Sequence, residues 1–236
     1  MTEKTTRLMV ALDVPELETA LTLVDRLGDQ VEWYKVGKQL FTHYGPKVLE
    51  ELRTRGRKVF LDMKFHDIPN TVAQAIRSAA LIGADIINVH ASGGPAMLAA
   101  AAEAGRETGK TVIAVTVLTS MDAEQLAAIG IQATPAEQVL RLARLTQEAG
   151  LPGVVCSALE LPMLRREFGA DFLTLVPGIR PAGAAAGDQK RIMTPVQAAA
   201  AGASYIIVGR PIVAAPDPAA AAQAVLAELE TVGYAD

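Results

Sequence analysis

Lys58-Val59-Phe60-Leu61-Asp62-Met63-Lys64-Phe65-His66-Asp67-Ile68-Pro69-Asn70-Thr71 begins as an apolar, β-prone run and turns charged within a few residues. Side chains alternate faces along a strand, so Asp62 and Lys64 are expected on one face and Met63 and Phe65 on the other. Asp67 falls just past the expected strand end, and Pro69 can open a helix at its first turn. The stretch reads as a β–α unit with its charges at the C-terminal end of the strand. Ionised groups on a strand otherwise built for burial are costly unless paired. Such a cluster either satisfies only itself or holds a catalytic ammonium between carboxylates.

The same unit recurs on both sides. Arg7 to Val14 reads as a first strand with an acid, Asp13, near its end, and Leu17, Ala20, Leu21 and Val24 follow with amphipathic helical spacing. Trp33-Tyr34-Lys35-Val36-Gly37 is a short second strand that again carries a charge, and a second helix is expected from Gly45-Pro46 to Arg55-Gly56. After the quoted strand, a helix from Pro69 to about Leu81 stops at Gly83. Ile86 to His90 reads as the fourth strand, Thr111 to Leu118 as a nearly continuous apolar fifth, Gly153 to Ser157 as the sixth, Phe172 to Val176 as the seventh and Tyr205 to Val208 as the eighth. Thr134-Pro135-Ala136-Glu137 and Thr194-Pro195-Val196-Gln197 carry the signature of capping boxes with proline at the first helical position. Eight strands alternating with eight helices, with no linker or composition break, predict an α/β fold: a single-domain (β/α)8 TIM barrel over residues 1–236. A doubly wound open sheet is the alternative, because periodicity does not show whether the last strand closes on the first.

Composition narrows the partners. Half of the 236 residues are apolar and 20% are charged, enough for a large core, and the net charge is −4. No Lys/Arg cluster stands out, which argues against nucleic acid and against an anionic membrane surface. The single cysteine, Cys156, excludes an intrachain disulfide framework and reads as a buried small hydrophobe. The run Leu8 to Leu12 is too short for a signal segment and no apolar span reaches 18 residues, so a cytoplasmic protein is expected.

Active sites of such barrels lie at the C-terminal strand ends. Asp13, Lys35, Asp62, Lys64, Asp67, His90 and Thr119 fall there, five charges coming from the first three strands alone. The second half of the chain offers Pro177-Gly178-Ile179-Arg180 and Val208-Gly209-Arg210-Pro211, at the two loops where such barrels commonly hold phosphate. Glycine lets backbone N–H groups approach the oxygens, and arginine supplies a planar bidentate clamp. Between them, residues 181–191 are small and lack large apolar anchors, a composition suited to a closing lid. His43 and His66 read as supporting residues, and no pair has zinc-ligand spacing.

The chain resembles bacterial-type orotidine 5'-phosphate decarboxylases over essentially its whole length. The resemblance rests on Ala11-Leu12-Asp13, Lys35-Val36-Gly37-Lys38, the Asp-x-Lys-x-x-Asp run extended through Asn70-Thr71, and Asn88-Val89-His90-Ala91-Ser92-Gly93-Gly94. It continues in Val115 to Met121, Pro177 to Pro181, Gly187-Asp188-Gln189 and Val208 to Pro211. The resemblance implies a catalytic array of Lys35, Asp62, Lys64 and Asp67, with Lys64 protonating C6 of the pyrimidine. It implies a homodimer in which Asp67, Ile68 and Thr71 enter the neighbouring subunit's site. Asp13 and Lys35 would hold the ribose, Thr119 or Ser120 would face the base, and Gln189, the Gly209 amide and Arg210 would hold the phosphate with Arg180 nearby. Arg191 stands where some members place a tyrosine. No cofactor or metal is expected, because the sequence carries no cofactor motif that could serve as an electron sink and preorganised charge must do that work. The competing readings are a metal-dependent aldolase or decarboxylase acting on a sugar phosphate, and a barrel that binds nucleotide without turnover.

Overall fold

The computed structural model describes residues 6–181 and 193–234. Eight parallel strands close into a barrel in sequence order: β1 (Arg7–Ala11), β2 (Trp33–Gly37), β3 (Lys58–Phe65), β4 (Ile86–His90), β5 (Thr111–Val115), β6 (Gly153–Val155), β7 (Leu173–Val176) and β8 (Tyr205–Val208). Closure is made by β1 on β8, with Leu8 opposite Ile206 and Val10 opposite Val208. This removes the open-sheet alternative.

The helices are α1 (Leu17–Leu27), α2 (Lys38–Tyr44), α3 (Lys47–Thr54), α4 (Pro69–Leu81), α5 (Gly94–Thr108), α6 (Ala123–Ala128), α7 (Pro135–Glu148), α8 (Leu161–Phe168), α9 (Pro195–Ala200), α10 (Arg210–Val213) and α11 (Pro218–Glu230). Both expected capping boxes form. Glu137 Oε2 accepts from the Thr134 N–H at 2.8 Å, and the Thr194 N–H donates to Gln197 Oε1 at 3.0 Å. Helix α2 escaped the periodicity because it is short and buries a single side chain, Leu40. The fifth strand stops at Val115 rather than running to Leu118. Its neighbour β6 has only three residues, and the last contact is made by Thr116, whose backbone N–H and hydroxyl both donate to the Val155 carbonyl, at 3.3 and 3.0 Å.

Two apolar compartments follow from strand alternation. The inward-facing side chains Met9, Ala11, Trp33, Phe60, Ile86, Ile113, Leu175 and Ile207 pack inside the barrel. Their neighbours, among them Val10, Tyr34, Leu61, Ile87 and Val208, pack outward against the helices. The inner set sets the level of what lies above it. Two residues further along each strand, on the same inward parity, stand Asp13, Lys35, Asp62 and Asn88, and Gly37, Lys64 and His90 come one step higher.

Candidate active site

That parity gathers four charges from the first three β–α units into one cluster. Lys35, buried on β2, places Nζ 2.9 Å from Asp13 Oδ1 and 3.6 Å from Asp62 Oδ2. Lys64 Nζ lies 2.5 Å from Asp62 Oδ1. The chain of charges runs Asp13, Lys35, Asp62, Lys64, alternating in sign. Burial pushes the Asp62 carboxyl up, but the Lys35 and Lys64 charges and the hydrogen bonds from Lys64 and Asn88 outweigh it and hold it below its ordinary value. Asp62 is therefore an anion at neutral pH.

Strand β3 is not regular where it carries these groups. Leu61 pairs with Ile87 and Phe65 with Val89, so four steps on β3 span two on β4. The extra length is taken up at Lys64, whose φ of 56° is the one positive value of a non-glycine among the described residues. A left-handed lysine costs about 1–2 kcal/mol, and such strain concentrates at functional positions. The geometry aims the ammonium back onto Asp62 and into the barrel mouth.

A cavity of about 220 Å³ opens above the cluster. Its floor is Asp13, Lys35, Asp62 and Lys64; one wall is apolar, from Val115, Val117, Val155 and Ile207. Thr119 lines its rim, and Ser120 is exposed and does not. Cys156 is buried as expected and contributes to the wall. A charged floor beneath an apolar wall suits a flat, polar-edged ring. A larger open groove of about 1000 Å³ lies along α1, but none of the strand-end charges lines it.

The loops after β7 and β8 bring their arginines to the same end. Arg180 is buried, its guanidinium donating to its own chain at Ile179 O, 3.0 Å away, and the loop base is pinned by the Arg180 N–H to Met193 O at 3.0 Å. Burial and the nearby positive charge of Arg210 both lower the Arg180 pKa. Gly209 faces Asp13: a Cβ built there would stand 3.9 Å from Asp13 Oδ2. Gln189, Arg191 and most of the expected lid lie outside the described residues.

Asp67, Ile68 and Thr71 do not join their own chain's cluster. The Asp67 carboxylate accepts from the Ile68 N–H at 2.7 Å, and all three residues are exposed, Ile68 by 68%. His43 is exposed and stacks on Tyr44. His66 stacks on His90, with ring centroids 5.6 Å apart, while His90 Nδ1 sits 2.6 Å from Ser92 Oγ. Among the described residues no three His, Cys, Asp or Glu side chains converge to hold a metal ion.

Two further residues were not assigned roles from the sequence. A Cβ on Gly37 would stand 2.9 Å from Asp13 Oδ1 and 3.0 Å from Lys35 Nζ, so only glycine leaves room for that pair. Asn88, fully buried, bonds both Asp62 and the Lys64 backbone. Its signals in the sequence are its place in the Asn88-to-Gly94 segment and an amide at the inward parity of a largely apolar strand.

The family model described as "Orotidine 5'-phosphate decarboxylase / HUMPS family" matches residues 6–225. The chain belongs to the orotidine 5'-phosphate decarboxylase / HUMPS family. An orotidine 5'-phosphate decarboxylase of Halorhodospira halophila is 55% identical over 229 residues, covering 96% of this chain and 97% of that protein. One of Nitrosococcus oceani is 52% identical over 228 residues, covering 96% and 98%. The crystal structure of orotidine 5'-phosphate decarboxylase from Lactobacillus acidophilus superposes with a TM-score of 0.85 at 38% identity, covering 95% of this chain and 99% of that one. The orotidine 5'-phosphate decarboxylase / HUMPS barrel therefore accounts for both the closed sheet and the whole length over which the charges are spaced.

Proposed function

We propose that this protein decarboxylates orotidine 5'-phosphate to uridine 5'-phosphate and CO2 in the cytoplasm, without a metal or organic cofactor. The observation that carries this reading is the Lys64 ammonium, held on Asp62 Oδ1 at the mouth of the barrel by a left-handed backbone. The names of the relatives at 51–55% identity support it.

In the step proposed, the bond between C6 and the carboxylate carbon breaks and its electron pair stays on C6. CO2 departs, and a Lys64 N–H proton moves to C6, leaving an amine that solvent reprotonates. The developing negative charge at C6 meets a fixed cation that needs no reorganisation, the usual source of such rate enhancement. Donation from the same group completes the step by general acid catalysis. Asp62 lies beside the place of the departing carboxylate and keeps the ammonium from swinging out to water.

Remote binding supplies the rest. Arg180 and Arg210 disfavour one another, and a phosphate dianion near both would relieve that repulsion. The Gly209 amide and Gln189 complete this grip, Asp13 and Lys35 take the ribose hydroxyls, and Thr119 takes the base edge. Asp67, Ile68 and Thr71, exposed beside the mouth, enter the site of a second copy, making the working unit a homodimer.

The purified protein should consume orotidylate, followed by absorbance, with EDTA present, and Lys64→Ala should abolish turnover while still binding uridylate. Full activity in that variant refutes the role of Lys64. A requirement for Mg²⁺, together with turnover of a sugar phosphate instead, favours the metal-dependent aldolase or decarboxylase reading.

A further inference from the structure

Asn88 is 0% exposed, and every polar atom of its side chain is spent on the catalytic strand. Its Oδ1 accepts from the Lys64 backbone N–H at 2.7 Å, and its Nδ2 donates to Asp62 Oδ1 at 2.7 Å. The orientation of the amide is set by chemistry: an N–H needs an acceptor and a carboxylate needs a donor. Both contacts fall inside the two-residue irregularity of β3 against β4. No β4 residue is paired with Lys64 in that interval, and a partly buried amide left unpaired would be costly. The Asn88 side chain takes the place of the missing backbone partner.

We propose that Asn88 is a positioning residue: it selects the left-handed conformation of Lys64 and, through Asp62 Oδ1, fixes where the ammonium points. One side chain thereby couples the backbone of the proton donor to the carboxylate that holds its Nζ, 2.5 Å away. Lys64 extended as an ordinary strand residue would move its N–H off Asn88 and its ammonium off the cavity floor. Asn88 touches neither C6 nor the phosphate in this account, so its effect should appear in the chemical step and spare binding. This rests on the decarboxylase reading.

The test compares wild type, Asn88→Ala and Asn88→Asp by steady-state kinetics across pH, by uridylate affinity, by thermal melting, and by exchange of the C6 hydrogen of bound uridylate in D2O. The exchange reports proton delivery by Lys64 without CO2 loss. Asn88→Ala should lower kcat by about 10²-fold, the scale of an ångström of misplacement, with exchange falling in parallel. KM and uridylate affinity should stay within about threefold. Asn88→Asp keeps an acceptor for the Lys64 N–H but sets a second carboxylate against Asp62, so the acid limb of its kcat profile should move to higher pH. An Asn88→Ala protein with wild-type kcat overturns the proposal, as does one whose kcat and uridylate affinity fall together. If Asn88→Ala does not fold, an unshifted pH profile in Asn88→Asp overturns it instead. An inactive wild type defeats the decarboxylase reading, whereas an active wild type with indifferent Asn88 variants defeats this inference alone.

Discussion

Lys35 reaches Asp13 across the gap between β2 and β1, Nζ to Oδ1 at 2.9 Å, directly over the bare Cα of Gly37. The two partners are unequal, since the Lys35 side chain is 10% exposed and that of Asp13 54%. The pair therefore contributes little stability of its own. Its consequence is to hold Lys35 between two acids and leave Asp13 open to a ligand.

Gly37→Ala tests that arrangement sterically. Its Cβ would fall 2.9 Å and 3.0 Å from the paired atoms, closer than a methyl tolerates, so the pair must part. Both atoms are the ends of flexible side chains, so they can swing aside at little cost in stability. The larger effect should be on kcat/KM for orotidylate, down about 10²-fold through misplacement of the ribose contacts. A variant with unchanged kinetics would show that the Asp13–Lys35 pair is not needed in its observed geometry.

Subunit exchange tests the placement of Asp67. Lys64→Ala and Asp67→Ala should each be inactive alone. If Asp67 acts across the interface and Lys64 within its own chain, mixed dimers carry one intact site. An equimolar mixture should then regain about a quarter of wild-type activity, from random pairing in a two-fold dimer. No regain on mixing, with exchange verified by tagged chains, counts against the shared site.

His90 makes stability pH-dependent in a predictable direction. Burial, then the charges of His66, Lys64 and Lys38, push its pKa below the ordinary 6.5. Between the folded value and 6.5 the unfolded chain binds the proton better, so stability is full above that window. It is lost as pH falls through the folded pKa. The His90 imidazole signal in NMR should titrate below 6.5, and His90→Gln should flatten that part of the denaturation profile. A midpoint above 6.5 would contradict the burial seen at the mouth.

Arg165 on α8 separates stability from chemistry. Its guanidinium donates to Gly202 O at 2.7 Å, Phe172 O at 2.5 Å, Gly169 O at 2.9 Å, Thr174 Oγ1 at 2.7 Å and Ser204 Oγ at 3.2 Å. It ties α8 to β7 and to the turn before β8, on the outer side of the sheet. Arg165→Met should cost about 2–3 kcal/mol by stranding half-buried acceptors, lowering Tm by roughly 4–12 °C. The kcat should not change. A marked loss of kcat with an unaltered Tm would reverse this assignment.

Much of this protein was determined by its residues taken in order. Alternation with period two along strands such as Trp33–Gly37 and Ile86–His90 marks which side chains face the barrel. Apolar runs ending in Asp13, Lys35, Asp62 and Lys64 mark which end carries chemistry, because buried strands tolerate charge only where it is paired or used. Those are local patterns, and local patterns survive in a one-dimensional string. Closure of β8 on β1, the left-handed turn at Lys64, the clearance over Gly37 and the double contact of Asn88 were decided by the tertiary structure alone. Each depends on the separation of strands distant in sequence: the N–H of left-handed Lys64 finds its acceptor on Asn88, 24 positions away along the chain.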